Sequence, residues 1–408
     1  MAATLFKRHF GATPTHVVRA PGACALLGDT ADSNQSLVLA VAVNRFVEIA
    51  SAPRADGRVE LAYAGSPKRE SFTLGSLQPN PEAPWAEIFK ALMEQLRRRG
   101  ASLRGYNAAI AGELGAGEEM GEPVAMAVAA ALTLRALFPF SLTETGLTKP
   151  PERNAKGELP PIPQAEMVQF ARLCRGAAAK GFHTPCGLVE TMASLCGKAW
   201  HVLSLDLRFL SVERWPLIGE VIVFCRPDAG GGVGEAERGA GAAEAWVEYV
   251  KTCAAAAKKL GALSLRSVEL KFLEANKGRL TESERACARH VVAENQRVVF
   301  AERALRADDH RQLGELILLS HESWREVSQQ RSPGVELLME LARGQPGCLG
   351  SRTASGGRGD GTINLVSYHQ AEGFMNHMTR EYPRRTGSGL RCFVCQIADG
   401  AGKKGRFK

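Results

Sequence analysis

An α+β chain of two domains is what this sequence predicts, and three observations carry that expectation. It has 408 residues, more than one ordinary core accommodates. Apolar residues make up 45% and charged residues 23%, an ordinary globular balance that excludes disorder as the main state. Strand-like and helix-like stretches mix without the regular βαβ alternation of a parallel sheet.

Residues 15–26 and 37–50 are apolar, β-branched-rich runs on either side of a Gly/Asp/Asn/Ser segment, so they read as strands flanking a loop. Pro84 to Arg98 has the pattern of an amphipathic helix, and Tyr106 to Ala111 that of a short strand. After it comes Gly112-Glu-Leu-Gly-Ala-Gly-Glu-Glu-Met-Gly-Glu-Pro123, then an Ala-rich helix from Val124 to about Leu137. Strand, Gly-rich loop and helix together are the general layout of an anion site, because loop amides and the helix N-terminus point at the ligand. Pro123 suits the first helical turn, where its missing N–H costs nothing.

Residues 141–164 are polar and Pro-rich and read as a surface insertion. Helices are expected over Gln164–Ala179 and from Gly187, with a strand near Trp200 to Asp206. A new β-α pattern starts at Val221. The Gly/Ala-rich stretch Gly230 to Ala243 reads as a mobile loop, followed by long helices over about 244–260 and 281–320. Gly356-Gly-Arg-Gly-Asp-Gly361 is a second Gly-rich loop, followed by the strand Thr362 to Ser367.

The formal charge is +8, and four of the positives lie at Lys403, Lys404, Arg406 and Lys408. The body is therefore only mildly basic, and no basic run interleaves with aromatics, so no nucleic-acid partner is expected. No apolar stretch has signal-peptide or membrane-span length, which gives a cytoplasmic, non-membrane expectation. The 10 cysteines lack framework spacing and read as small buried hydrophobes of a reducing compartment. Cys392 and Cys395 form a CxxC, but along a strand an offset of three puts the sulfurs on opposite faces. No metal site is expected.

Five segments then carry a resemblance. Arg19-Ala-Pro-Gly-Ala-Cys-Ala-Leu-Leu-Gly-Asp-Thr-Ala-Asp-Ser-Asn34 resembles the galactokinase signature APGRVNLIGEHTDYN. Arg289-His-Val-Val-Ala-Glu-Asn-Gln-Arg-Val298 is similar to the family's RHVVxENxRV helix. Ser320-His-Glu-Ser-Trp-Arg325, with Pro333 and Glu336-Leu-Leu-Met-Glu-Leu-Ala342, is similar to SHxSLR and the helix after it. The run from Gly350-Ser-Arg352 to Gly361 resembles GSRMTGAGFGG, and Phe393 to Gly402 the terminal strand and GAG. They occur in the family's order over nearly the whole chain.

The resemblance implies the two-domain fold of the GHMP small-molecule kinases. That is an N-terminal domain related to a ribosomal-protein fold, here over 1–207, and a ferredoxin-like C-terminal domain over 208–408. It implies an active site between the domains, with ATP and Mg as cofactors and a small-molecule sugar as partner. The implied reaction moves the γ-phosphoryl group of ATP to the anomeric hydroxyl.

By the same resemblance, the catalytic positions fall on Glu190, where the family has aspartate, and Ala23, where it has arginine. Sugar-binding positions fall on Asp29, Asp32 and Gly187, while Thr30 and Ser33 stand where the family has histidine and tyrosine. Nucleotide-binding positions fall on Gly115, Ala116, Gly117, Glu119 and Gly121. Several hold unexpected chemistry. A methyl at Ala23 cannot stabilise developing charge, and loss of such an arginine costs on the order of 10³–10⁵ in rate. Glu190 keeps a carboxylate but sets it one methylene further out, and a misplacement of about 1 Å costs roughly a hundredfold. The serines of the phosphate loop become Glu119, Met120 and Gly121, with Glu118 and Glu122 beside them. A carboxylate about 5 Å from a phosphate repels it by about 3 kcal/mol at an effective dielectric of 20. Arg19 and Arg358 are the candidate replacement cations, and the three glutamates read as a retired phosphate loop in preference to a set of metal ligands.

Scaffold segments match better than ligand-touching ones. The expectation is therefore a galactokinase-like protein of reduced or absent activity, acting as a sugar sensor or regulator. The alternatives are an active kinase with a rebuilt catalytic set, and a partner-binding protein with neither ligand. His290 and His321 are read as supporting rather than catalytic, His183 lies near Glu190 in sequence but brings no third partner, and Trp246 is the loose counterpart of a family tyrosine.

Overall fold

The computed structural model describes residues 1–28, 31–113, 120–182, 187–228, 235–328, 332–354 and 361–403. They pack as two compact units. The first comprises Met1–Ala23, Ala42–Gly197 and the chain from Asp399. The second comprises Cys24–Val41 and Lys198–Ala398. The chain thus changes unit at Gly197, and also lends the stretch after Ala23 to the second unit.

In chain order, α1 (Ala2–Phe10) precedes β1 (His16–Leu27), the four-residue α2 (Ala31–Asn34) and the long β2 (Leu37–Pro53). Then come β3 (Arg58–Tyr63), β4 (Glu70–Thr73), α3 (Glu87–Arg98), β5 (Tyr106–Gly112) and α4 (Glu122–Leu137). The Pro-rich stretch holds only the small hairpin β6 (Ser141–Leu142) and β7 (Leu147–Thr148). After it follow α5 (Gln164–Phe182), α6 (Leu188–Cys196), β8 (His201–Asp206), β9 (Ser211–Pro216) and β10 (Glu220–Pro227). The remaining elements are α7 (Glu235–Lys259), α8 (Leu270–Asn276), α9 (Glu282–Arg306), α10 (His310–Val327), α11 (Pro333–Ala342), β11 (Cys348–Thr353), β12 (Thr362–Ser367), α12 (Ala371–Thr386), β13 (Leu390–Cys395) and β14 (Gly402–Lys403).

In the first unit the strands run in the order β14-β1-β2-β5-β3-β4. β2 and β5 pair antiparallel from Val47↔Gly112 to Pro53↔Tyr106, and β3 and β5 pair parallel. Alternation along β5 decides the two faces. Ala109 and Ala111 join Ala2 and Phe6 of α1 in one cluster. Tyr106 points the other way, its hydroxyl 3.7 Å from Met93 Sδ on α3. Small Ala side chains on β5 let α1 lie close on that face, while α3, α4 and α5 pack against one another.

The second unit holds an antiparallel sheet in the order β11-β12-β10-β13. Val221, Val223 and Cys225 of β10 face a core with Phe374, Met378 and Tyr382 of α12 and Leu338 of α11. A separate cluster joins α7 and α9 around Cys253, Cys287, Val291 and Trp324. In the same unit, Leu37–Ala40 of β2 pairs with β8, and β8 with β9.

Two expectations are corrected. The stretch read as a loop over Gly230–Ala243 is helical from Glu235. Glu235-Ala-Glu-Arg and the alanines outweigh Gly239 and Gly241, which cost only about 1 kcal/mol each. The single helix expected over 281–320 is two. The chain leaves α9 through Asp308 at φ 55, and Asp309 caps α10 by accepting from Gln312 N at 2.9 Å. Thr281 and Glu284 form a capping box at the start of α9. Cys392 faces Cys225 across the β10–β13 pair, their sulfurs 3.4 Å apart, while Cys395 is fully buried.

Candidate functional site

Of the sequence-predicted site residues, Asp29, Gly115, Ala116, Gly117 and Glu119 lie outside the described residues, as do Thr30, Glu118, His183 and Arg358. The others fall into two groups, one in each unit.

In the first unit, Ala23, Gly121 and Glu190 converge from three distant stretches of sequence. Ala23 N–H donates to the Met120 carbonyl at 2.9 Å. A Cβ on Gly121 would lie 3.7 Å from both the Ala23 carbonyl and Glu190 Cβ. Gly121 caps α4 in the left-handed region, at φ 74, which a glycine adopts without strain. Met120 is completely buried, so at this position of the loop a side chain joins the core.

α6 presents Glu190 in its first turn, where the helix dipole favours a carboxylate. Gly187 caps that helix with extended backbone, and its carbonyl accepts from Thr191 Oγ1 at 2.9 Å. Ser194 Oγ donates to the Pro21 carbonyl at 2.7 Å, tying α6 to β1. The terminal Gly-Ala-Gly segment holds the other end. Gly400 N donates to Gly197 O and Ala401 N to Ser194 O, both at 2.8 Å, and Gly402 pairs with Arg19 on β1. The terminal motif therefore keeps α6 and β1 in register, a role its sequence did not announce.

The electrostatics of this group are lopsided. Glu190 Oε2 is buried without a hydrogen-bond partner among the described residues. The described groups that meet here bring one carboxylate and no cation. Arg19 is held elsewhere, its guanidinium carbon 4.5 Å above the Phe46 ring. Glu122 is not a loop carboxylate: it lies in the first turn of α4, buried, and accepts from Tyr63 Oη at 3.3 Å. Burial, and then the Glu122 charge, push the Tyr63 hydroxyl up to about 12.

In the second unit, the segment after β1 is pinned at both ends. Gly28, at φ 78, donates its N–H to Glu294 Oε1 at 2.8 Å. A Cβ there would come within 2.3 Å of the Leu37 carbonyl, so only glycine fits. Leu37 N donates to Asn295 Oδ1 at 3.0 Å, and Asn295 Nδ2 reaches Ser36 Oγ at 3.2 Å. Between these anchors, Asp32 sits half-buried in the turn of α2, next to Ser33. The stretch expected as a plain loop thus contains a helical turn.

Glu294 is the centre of a buried network. Ser320 Oγ donates to it at 2.6 Å and Arg297 Nε at 2.6 Å. Fully buried Arg352 donates to the Leu26 carbonyl at 3.1 Å and lies 3.4 Å from Ser320 Oγ. Sequence reasoning assigned Glu294, Asn295, Ser320 and Arg352 to scaffold motifs. Their positions show that this scaffold grips both ends of the segment that holds Asp32. Trp246 packs against the α7–α9 core, stacked on Tyr249 at 5.4 Å.

His290 and His321 are buried, and burial pushes both imidazoles down to about 4. They are neutral in the folded state, whereas the unfolded chain binds protons near pH 6.5. Their contribution to stability is therefore complete above about pH 6.5 and is lost as pH falls from there toward 4. Moving from pH 7 to pH 5 is expected to cost about 2 kcal/mol per histidine. Urea midpoints at the two pH values measure it, and a His290→Gln, His321→Gln double variant is expected to flatten the profile. An unchanged midpoint in the natural protein contradicts this account.

Comparison with known proteins adds the following. A family model described as the galactokinase galactose-binding signature matches residues 4–53, a span that includes Ala23, Asp29 and Asp32. The chain is 30% identical over 404 residues to a galactokinase of Roseiflexus sp. (strain RS-1), covering 98% of this chain and 95% of that protein. It is 30% identical over 403 residues to the Homo sapiens galactokinase, covering 97% and 94%. The crystal structure of Lactococcus lactis galactokinase complexed with galactose matches at a TM-score of 0.82 and 21% identity, over 98% of each chain. Methanococcus jannaschii mevalonate kinase matches at 0.57 and 11%, over 94% of this chain and 99% of that one. At these identities the two solved structures speak for the fold, which is the α+β fold of the GHMP kinases.

Proposed function

The chain belongs to the galactokinase family, and from that premise we propose that it binds a sugar of the galactose class while transferring phosphate from ATP at a strongly reduced rate or not at all, so that it serves as a sensor or regulator. One observation carries this reading: Ala23, Gly121 and Glu190 meet, yet the position of the family's arginine contributes only a methyl group. The arrangement keeps a scaffold for the transferring phosphate and removes the charge that stabilises it.

The described residues of this group do not fit a magnesium-bound triphosphate. Met120 is turned into the core, the hydroxyls of Thr191 and Ser194 are spent on the carbonyls of Gly187 and Pro21, and Glu190 adds negative charge. Sugar recognition is assigned to Asp29 and Asp32, because a carboxylate accepts paired hydrogen bonds from a diol. The grip of Glu294 and Asn295 on the two ends of that segment supports it, since an anchored segment loses little entropy on binding.

A second reading, an active kinase with a rebuilt catalytic set, draws on Glu190. Its unpartnered Oε2 is a free acceptor for a substrate hydroxyl. Calorimetric titration separates the two. The sensor reading expects galactose to bind without nucleotide, and Mg-ATP to bind more weakly than about 100 μM, roughly −5.5 kcal/mol. Tighter Mg-ATP binding with turnover sinks it. Sugar binding is checked by thermal shift, since a ligand at a hundred times its Kd stabilises by about 2.7 kcal/mol.

A further inference from the structure

A cavity of about 390 Å³ opens in the first unit beneath the Pro-rich insertion, away from Ala23, Gly121 and Glu190 in its lining. This volume falls in the range of small-molecule sites. Leu132 of α4, Leu159 and Ile162 of the insertion, Met167 of α5 and Leu195 of α6 give it apolar walls. Pro160 and Pro161 hold the insertion extended over it and supply no N–H donors. Apolar walls of this kind form a site for the hydrocarbon part of a ligand.

Its polar feature is Arg135. The side chain lines the cavity, is only 6% exposed, and comes from the last turn of α4. Its Nε–H is buried with no acceptor, and both Nη atoms reach only the Pro160 carbonyl, at 3.3 Å. Among the described residues no carboxylate lies within 4.0 Å of it. Glu166 is nearby but accepts from Leu142 N at 2.8 Å. Glu158, at the mouth, is exposed and engaged by Asn154 Nδ2 at 3.3 Å, so water screens its charge. Arg153 adds a second cation whose donors go to the Gly157 and Ala136 carbonyls. Buried guanidinium groups are ordinarily matched by a bidentate carboxylate or phosphate. This one is buried in apolar surroundings with long hydrogen bonds to a single carbonyl.

We propose that this cavity binds a small apolar carboxylate, with its hydrocarbon chain against Leu132, Leu159, Ile162 and Leu195 and its carboxylate on the guanidinium donors of Arg135. Burial, and then Arg153, push the Arg135 pKa down, while Glu166 opposes the shift. An entering anion relieves that penalty. A phosphate-only ligand would leave the apolar walls bare, and an uncharged lipid would leave the guanidinium unmatched.

The test titrates the full chain with decanoate and, separately, with 1-decanol, followed by calorimetry. Decanoate is expected to bind tighter than about 1 mM and 1-decanol at least about tenfold more weakly than decanoate, since a hydrogen bond to a charged group contributes that much. Arg135→Met is expected to weaken decanoate at least about tenfold and to leave 1-decanol unchanged. Ile162→Trp, at a half-exposed wall position that tolerates substitution, is expected to abolish both by filling the space. Decanoate that fails to bind, that binds Arg135→Met as well as the natural chain, or that ignores Ile162→Trp overturns the proposal. If Arg135→Met does not fold, the decanoate-against-decanol difference and Ile162→Trp still decide it.

Discussion

Incubated with ATP, magnesium and galactose, the protein is expected to form galactose 1-phosphate at least about 10³ more slowly than a working sugar kinase, whose kcat lies at about 1–100 s⁻¹. The size follows from the charge missing at Ala23, where a catalytic cation of this kind contributes about 4 kcal/mol or more to the transition state. Phosphorus NMR of the reaction mixture measures the product directly. Two variants make the expectation specific. Glu190→Gln is expected to change the residual rate less than about twofold if the group no longer takes part, and by about a hundredfold or more if the catalytic set has been rebuilt around it. Ala23→Arg restores the cation next to Gly121 and Glu190. A gain of tenfold or more there, with Mg-ATP bound, would mean that the phosphate site is intact and only the arginine is gone. A natural kcat of about 1 s⁻¹ refutes the reduced-activity reading outright.

Replacing Glu294 by alanine is expected to lower the unfolding free energy by about 3–5 kcal/mol, because it takes the carboxylate from half-buried Arg297, removes a negative charge from the surroundings of fully buried Arg352, and leaves the Gly28 N–H without its acceptor. That is a large share of the 5–15 kcal/mol that holds a domain. Guanidinium unfolding measures it, and a loss under about 1 kcal/mol contradicts the network account. Glu294→Gln keeps the shape and the acceptor for Gly28 and is expected to fall between. The charge also has a pH signature. Burial alone would raise the Glu294 carboxyl, but Arg297, His290, Arg352 and the Ser320 hydrogen bond outweigh it and hold the group at about 2. His290 helps only below about pH 4, where it is itself protonated. The folded value lies below the ordinary 4.5, so the ion contributes its stability above that pH and loses it as pH falls toward 2. Glu294→Ala removes this acid limb and leaves the histidine limb between 6.5 and 4. The same variant is expected to weaken galactose binding, since it releases one anchor of the segment with Asp32.

Most of the element order was legible because it rests on local signals. β1 and β2 follow from β-branched runs, α4 from Pro123 and the alanines after it, and β12 from the alternation after a Gly-rich loop. The stretch from Glu235 failed because glycine counted for more than the alanines and glutamates around it. The join between α9 and α10 failed because the apolar period runs on across Asp308, while the left-handed residue and the Asp309 cap that break the helix are single-residue events. At the site, the identity of Ala23 and Glu190 was readable by position, but their meeting with Gly121 was not.

The sequence by itself determined the α+β class and the family, because both depend on residue identity and on order along the chain. Only the tertiary structure decided that Glu122 belongs to Tyr63, that Arg19 belongs to Phe46, and that Glu294 and Asn295 hold Gly28 and Leu37. These are contacts between residues up to 266 positions apart. A buried hydrogen bond or ion pair of that kind exists only once packing excludes water and fixes both partners, and no local pattern of residues encodes where a distant partner will lie.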